Sequence, residues 1–154
     1  MERCSRLSER QSQPAILAVS ASAATLSFAA VAVPAPAMAA ELSSTGQFRG
    51  ADSSHPASGG VEIVKLKGGG LGVKLKGDFK VRGGPDLRVW LSDASNPRNG
   101  RAVRSKDYVD LGRLKSSSGE QIYRIPASAD VADANSVVIW CRAFGVFFGS
   151  ATLK

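Results

Sequence analysis

Cysteine and histidine, the side chains best suited to thiol chemistry and to binding a transition metal or haem, are both scarce in this sequence. Cysteine occurs twice, as Cys4 and Cys141, and His55 is the sole histidine. A thiolate can act as a nucleophile or a metal ligand, and an imidazole can act as a base or a ligand. Cys141 lies in the apolar stretch SVVIWCRAFG (136–145), whereas His55 begins the Ser/Gly/Pro-rich stretch HPASG (55–59).

Cys141 has two interpretations that the sequence leaves open. On a strand, Cys141 shares one face with Val137 and Ile139, while Arg142 belongs to the other face. This pattern favours burial, since unpaired cysteine is among the most buried residue types. The second interpretation is an accessible thiol that exchanges electrons, binds a group or links two chains by an intermolecular disulfide.

His55 also has a structural and a chemical interpretation. A histidine in such a loop can order the chain through hydrogen bonds from its side chain to the backbone. Alternatively, His55 and Cys141 form a thiolate–imidazole pair or supply two ligands to one metal or haem iron. The second interpretation requires the fold to bring the two residues together.

Residues 1–39 have the three-part pattern of a secretory signal peptide. Three arginines precede an apolar run over residues 15–33, and Ala37-Met38-Ala39 fits the small-x-small cleavage rule. We therefore expect cleavage after Ala39, a secreted, periplasmic or cell-surface location, and membrane contact only through the signal peptide before cleavage. The alternative is a retained membrane anchor. Residues 40–154 have the length of one domain.

The charge of the chain does not indicate a nucleic-acid partner. The formal net charge is +7, and basic residues cluster between positions 65 and 82. Within this cluster Lys74 and Lys76 alternate with Val73 and Leu75, as expected for the solvated face of a strand. The aromatic residues that would stack bases are missing there.

Short segments with patterns typical of β-strands, separated by turns, follow one another through the rest of the chain. The segment VEIVKLK (61–67) breaks strict alternation at Ile63-Val64, which indicates either a bulge or a strand covered on both faces. Gly84-Pro85-Asp86 is typical of a turn in which the aspartate side chain bonds its own backbone. Residues 93–107 are polar and cationic and predict a long surface loop, a type of segment that often carries function.

These patterns predict an all-β fold. No segment after the leader keeps helical spacing of apolar residues over ten or more positions, so we expect no long helix. About eight short strands in one domain predict a β-sandwich or a barrel-like antiparallel sheet.

Four stretches resemble the DM13 domain, a small extracytoplasmic module. They cover nearly the whole chain after the leader: GQFRGADSSHPASG (46–59), DFKVRGGPDLRVWLS (78–92), VDLGRLKSSSGEQIYRIP (109–126) and SVVIWCRAFGVFFGSATL (136–153). The resemblance implies a β-rich fold and a role in extracytoplasmic electron transfer or thiol redox chemistry. It also implies that Cys141, in the Trp-Cys pair, acts as a free thiol or as a ligand of a prosthetic group such as haem.

Two functional hypotheses follow. The first is an exported electron-transfer module that acts through Cys141, with His55 as a second candidate ligand, haem or a transition metal as the candidate cofactor, and a redox protein as its partner. The second is a non-catalytic module that binds a cell-surface polymer or protein through aromatic anchors. The candidate anchors are Trp90, Tyr108, Trp140, Phe144, Phe147 and Phe148. Because recognised hydrolase, zinc and phosphate-loop motifs are absent, a redox or binding module is favoured over a stand-alone enzyme.

Overall fold

Short β-strands dominate the computed structural model, which describes residues 44–154; the predicted signal peptide lies outside these residues. The elements are β1 (Thr45–Gly50), β2 (Ala57–Ser58), β3 (Gly60–Lys65), β4 (Leu71–Leu75), β5 (Lys80–Val81), β6 (Leu87–Ser92), α1 (Gly100–Arg104), β7 (Tyr108–Arg113), β8 (Gln121–Arg124), β9 (Ser136–Cys141) and β10 (Val146–Thr152). The prediction of an all-β fold without a long helix is confirmed for this part of the chain.

Eight of these strands form one antiparallel sheet in the order β7-β6-β9-β10-β1-β3-β4-β8. The first and last strands of this order, β7 and β8, approach each other just after the end of β7. There the Lys115 amide donates to the Tyr123 hydroxyl at 2.9 Å, and the Lys115 ammonium donates to the Ile122 carbonyl at 2.7 Å. The sheet is therefore a nearly closed barrel, and β2 and β5 pair beside it as a small second sheet.

The barrel interior is filled by apolar side chains that alternate along the strands. Val137, Ile139 and Cys141 of β9 all point into this core and have no exposed surface. Phe79 is also fully buried, and its ring packs edge-on against Phe48 with 5.1 Å between centroids. The β-branched and aromatic composition of these segments fits such a half-buried pleated surface.

A second apolar cluster covers the outer face of β6 and β9. Trp90 stacks on Trp140 with 4.8 Å between ring centroids, and Tyr108 stacks on the other side of Trp90 at 4.0 Å. Val103 of α1 packs into this cluster and is fully buried. Because β9 is covered on both faces, all six of its residues are buried.

Of the two alternatives for the break at Ile63-Val64, the bulge is excluded, because β3 pairs with β4 in a continuous register. Ile63 is buried and Val64 is half-buried, so β3 is partly covered on its second face. Irregular pairing occurs instead in the β6–β7 pair and between Phe147 and Gly149 of β10. Segment 93–107 is not entirely a loop, since it contains α1, which begins after Asn99; the Asn99 side chain accepts a hydrogen bond from the Ala102 amide at 3.0 Å.

Among residues 44–154, no helix combines the length and apolar character that a membrane crossing would require.

Candidate functional site

Cys141 is the last residue of β9 and lies at one end of the barrel. It is the one cysteine among the described residues, and it is fully buried. Its direct cross-strand neighbours are Leu87 of β6 and Val146 of β10. Residues directly opposite each other in an antiparallel pair point to the same face, so both apolar side chains flank the thiol within the core.

The alternation expected for β9 is confirmed. Val137 and Ile139 share the barrel interior with Cys141, whereas Val138 and Trp140 belong to the outer cluster. Arg142 follows the strand and is exposed. The interior position removes Cys141 from solvent, whereas the Arg142 side chain remains exposed.

His55 is held in the β1–β2 loop by Asp52. Its Nδ1 atom lies 3.0 and 3.1 Å from the two Asp52 carboxylate oxygens, and its backbone amide donates to the same carboxylate at 2.9 Å. The hydrogen bond from His55 is the largest cause that lowers the pKa of Asp52 below its ordinary value. The His55 side chain is thus anchored by a carboxylate, not by backbone groups.

The His55 loop folds back closely onto β1. At Gly50 an added Cβ would lie only 2.6 Å from the Ala57 nitrogen, so a side chain would push the loop away. The Ala51 amide, which follows, donates to the carbonyls of Phe148 and His55 at 3.0 and 3.1 Å. This contact places the His55 ring edge-on to the Phe148 ring, with 4.6 Å between centroids.

A pocket of about 430 Å³ opens at this end of the barrel, and His55 forms part of its wall. Arg82, Phe144, Val146 and Phe148 also line it. Phe144, at the tip of the β9–β10 hairpin, is 74% exposed, whereas Phe148 belongs to the core. We refer to this cavity as the His55 pocket.

The His55 pocket and Cys141 are neighbours, but the structure shows no contact between the imidazole and the thiol. Val146 lines the pocket and is the cross-strand partner of Cys141. Phe148 lies two residues further along β10, and its ring contacts His55. The apolar side chains of Val146 and Phe148 therefore lie between the two sequence-predicted site residues.

Asp86 forms an ion cluster beside the end of β9 that the sequence did not predict. Its carboxylate accepts from Arg142 Nε at 2.7 Å and from Arg88 Nε at 3.1 Å. The Arg142 amide also donates to the Asp86 carbonyl at 2.9 Å. The predicted turn is present, but the side chain bonds these arginines and not its own backbone. Asp86 thus holds the residue that directly follows Cys141.

The arginines determine the protonation of Asp86. Partial burial acts to raise the pKa of Asp86, but the hydrogen bond and charge of Arg142, together with Arg88, outweigh it. The pKa of Asp86 therefore lies below its ordinary value, and the group is a carboxylate at neutral pH.

Replacing Asp86 by asparagine should destabilise the fold at neutral pH, and the effect should shrink in acid. Folding lowers the pKa of this carboxylate, so the carboxylate stabilises the protein fully at pH values above its pKa in the unfolded chain, which is near the ordinary 3.8. That stabilisation is lost as the pH falls through the lower pKa of the folded state. Urea unfolding of both proteins at pH 7 and at about pH 2.5 measures the change. As a control, Asp133→Asn, which removes an exposed carboxylate, should change stability little. If Asp86→Asn lost the same free energy of unfolding at both pH values, the expectation would be contradicted.

Within the described part of the chain, no group of three or more histidine, cysteine, aspartate or glutamate side chains is arranged to hold a metal ion. Of the two candidate ligands, only His55 faces a cavity. The sequence could identify His55 and Cys141 by residue type, and Phe144 and Phe148 as candidate aromatic anchors, but it gave no indication that Arg82, Phe144 and Phe148 would share a pocket with His55. They reach the same pocket only through the pairing of distant strands.

A family model described as "Electron transfer DM13" matches residues 47–153. The matched region begins in β1 and ends just beyond β10, so it includes the barrel, the His55 pocket and Cys141. No curated protein and no solved structure matches the chain.

Proposed function

This chain belongs to the DM13 electron-transfer family, and from that membership we propose an exported electron-transfer module with Cys141 as its redox group. The His55 pocket is the surface where a redox partner docks. Export rests on the signal-peptide pattern of residues 1–39. Recovery of secreted protein that begins at Ala40 supports export, and recovery of protein that begins at Met1 opposes it.

The position of Cys141 at the barrel end is the observation that carries this proposal. Its cross-strand neighbour Val146 lines the His55 pocket, so a partner in that pocket would contact a residue that lies directly beside Cys141. Beyond Cys141 the chain turns through Arg142 to Gly145, where Gly145 has a left-handed φ of 65°. Outward movement of this turn would expose the end of β9 without dismantling the rest of the barrel.

The electron transfer in this proposal is thiol–disulfide exchange. The Cys141 thiolate attacks a disulfide of the partner, one S–S bond forms as the other breaks, and the leaving partner thiolate takes up a proton. A dithiol protein then resolves the mixed disulfide and regenerates Cys141. Two electrons have then passed from the dithiol to the partner disulfide.

A prosthetic group held jointly by Cys141 and His55 does not fit this packing. Cys141 has no exposed surface and does not line the His55 pocket. His55 alone fits a ligand role, because a carboxylate at Nδ1 is the usual partner of a metal-binding imidazole and leaves Nε2 available. We therefore assign any haem or metal of the redox system to the partner protein.

The proposal predicts that loosening the Asp86 cluster speeds the reaction of Cys141. In a Cys4→Ser background, Asp86→Asn removes the negative charge that holds the Arg142 side chain and should raise the rate of mixed-disulfide formation with glutathione disulfide by about tenfold. Intact mass measures the modification, and Cys141→Ser provides the blank.

Asp133→Asn is the matched control and should leave the exchange rate unchanged. Global stability is measured in parallel by urea unfolding, so that local opening of the barrel end is separated from unfolding of the whole domain. Equal exchange rates in the two variants would show that the Asp86 cluster does not control access to Cys141, and exchange only at the rate of global unfolding would contradict local opening of the barrel end in the free protein.

A second candidate function is the binding of a cell-surface protein or polymer, and one observation favours it. Phe144 is exposed at the rim of the His55 pocket and can serve as an apolar anchor. Tyr108 is the other exposed ring among the six predicted anchors; the remaining four pack in the two apolar clusters. Such binding would be insensitive to Cys141→Ser, whereas thiol exchange would be abolished.

A further inference from the structure

A second and larger cavity, of about 610 Å³, lies on the outer face of β1 and β10. Its floor includes Gln47 and Arg49 of β1 together with Ser150 and Thr152 of β10. Arg98, in segment 93–107, and Lys76, which directly follows β4, also line the cavity. We call this cavity the basic groove. It is separate from the His55 pocket, with which it shares no lining residue.

The side chains of the basic groove carry positive charge without acidic side chains among them. Arg49, Lys76, Arg98 and Lys154 line it, and no aspartate or glutamate side chain does. Among the described residues, neither Arg49 nor Arg98 takes part in an ion pair, and both are exposed. Lys76 is partly neutralised by Glu62, at 3.5 Å. Two guanidinium groups in the groove are therefore available to a ligand.

The wall that carries Arg98 is fixed to the barrel. Pro97 is buried, and its carbonyl accepts a hydrogen bond from the buried Ser150 hydroxyl at 2.7 Å. Asn96 has a left-handed φ of 51°, a conformation that asparagine adopts more readily than most residues. Its side chain accepts from the Thr152 hydroxyl at 3.4 Å. Because the groove is already formed before binding, less conformational entropy is lost when a ligand binds.

Guanidinium groups favour phosphate among anions because their planar N–H donors can bind two phosphate oxygens at once. A volume of about 610 Å³ falls within the range of small-molecule sites. The aromatic residue in the lining, Phe147, is 6% exposed and offers little ring surface for stacking a nucleobase. We infer that the basic groove binds a ligand with two or more phosphate groups, either a free oligophosphate or a segment of a phosphodiester polymer. This inference is independent of Cys141.

Calorimetric titration of the full chain with inorganic tripolyphosphate tests the inference. We expect one ligand per chain, with an affinity that falls as salt is raised from about 50 to 200 mM. Arg49→Gln combined with Arg98→Gln should weaken binding by at least about tenfold, since each substitution removes a charge-assisted contact. Both side chains are exposed, so the variant should retain the fold, as a circular dichroism spectrum can verify.

The matched control is Lys67→Gln combined with Lys106→Gln, which removes two exposed charges outside the groove. Equal weakening in this control, or no binding by the unmodified chain, would overturn the inference. A parallel titration with poly(glycerol phosphate) distinguishes the two ligand sources. Tighter binding of this polymer indicates a phosphodiester chain, and tighter binding of tripolyphosphate indicates a free oligophosphate. Loss of thiol exchange in Cys141→Ser with tripolyphosphate binding intact separates this inference from the redox proposal.

Discussion

Cys141 in the folded protein should react with a thiol reagent about a thousandfold or more slowly than the same cysteine in the unfolded chain. The reason is that a fully buried sulfur reacts only in molecules that have opened locally or unfolded. Local opening at the end of β9 requires less free energy than global unfolding, which is about 5–15 kcal/mol for a domain. A thousandfold protection requires only about 4 kcal/mol.

The labelling experiment uses the Cys4→Ser background, so that Cys141 is the sole thiol. The double variant Cys4→Ser/Cys141→Ala provides the blank. The labelling rate measured at several low concentrations of urea then distinguishes local opening from global unfolding. Local opening exposes less surface, so its free energy depends less steeply on the urea concentration. Native labelling as fast as in the unfolded chain would show that Cys141 is not sealed in the core.

This protection bears directly on the redox proposal. A thiol that is sealed in the free protein cannot exchange with every disulfide it meets, so a partner must supply the binding energy that opens the end of β9. The His55 pocket beside Val146 is the surface from which a partner could do so. Strong protection together with acceleration by Asp86→Asn is the combined result that the proposal predicts.

Gly59→Ala should destabilise the barrel by about 2–5 kcal/mol, from left-handed strain of about 1–2 kcal/mol and overpacking of about 1–3 kcal/mol. Gly59 has a φ of 98°, in the left-handed region that favours glycine. An added Cβ would also lie 2.6 Å from the Asp78 carbonyl oxygen and would press on the Phe79 backbone. The neighbours are backbone atoms and cannot rotate away. Urea unfolding measures the loss.

Gly119→Ala separates the two contributions. Gly119 has a similar φ of 87°, but no heavy atom lies within 4 Å of the position that a Cβ would take. Gly119→Ala should therefore lower the free energy of unfolding only by the conformational strain, about 1–2 kcal/mol. If the two variants lose the same stability, the close approach of Gly59 to Phe79 is not a significant constraint on the fold.

The fold class was predictable because it follows from short-range patterns. Alternation in SVVIWC assigned Val137, Ile139 and Cys141 to one face, and all three lie in the barrel interior. The choice between a sandwich and a barrel was not predictable, because it depends on whether β7 and β8 approach each other. The register shift between Val89 and Trp90 and the helix after Asn99 were also missed, since neither has a repeated pattern.

The candidate site was predictable only in its residue types. The scarcity of cysteine and histidine identified Cys141 and His55, and alternation correctly favoured burial of the thiol. The sequence could not indicate that Val146 and Phe148 separate them, nor that Asp86 binds Arg142 across 56 positions. These contacts depend on the register between strands that are far apart along the chain.

The sequence by itself determined the family, the β-rich class and the inward direction of Cys141, because each depends on residue type or on the two-residue repeat of a strand. The tertiary structure decided which side chains share a cavity. Closure of the sheet placed His55 near the end of β9, and strand order placed Arg49 and Arg98 in one groove. The physical reason is that backbone geometry fixes neighbours a few residues apart, whereas packing of the whole barrel fixes neighbours distant in the chain.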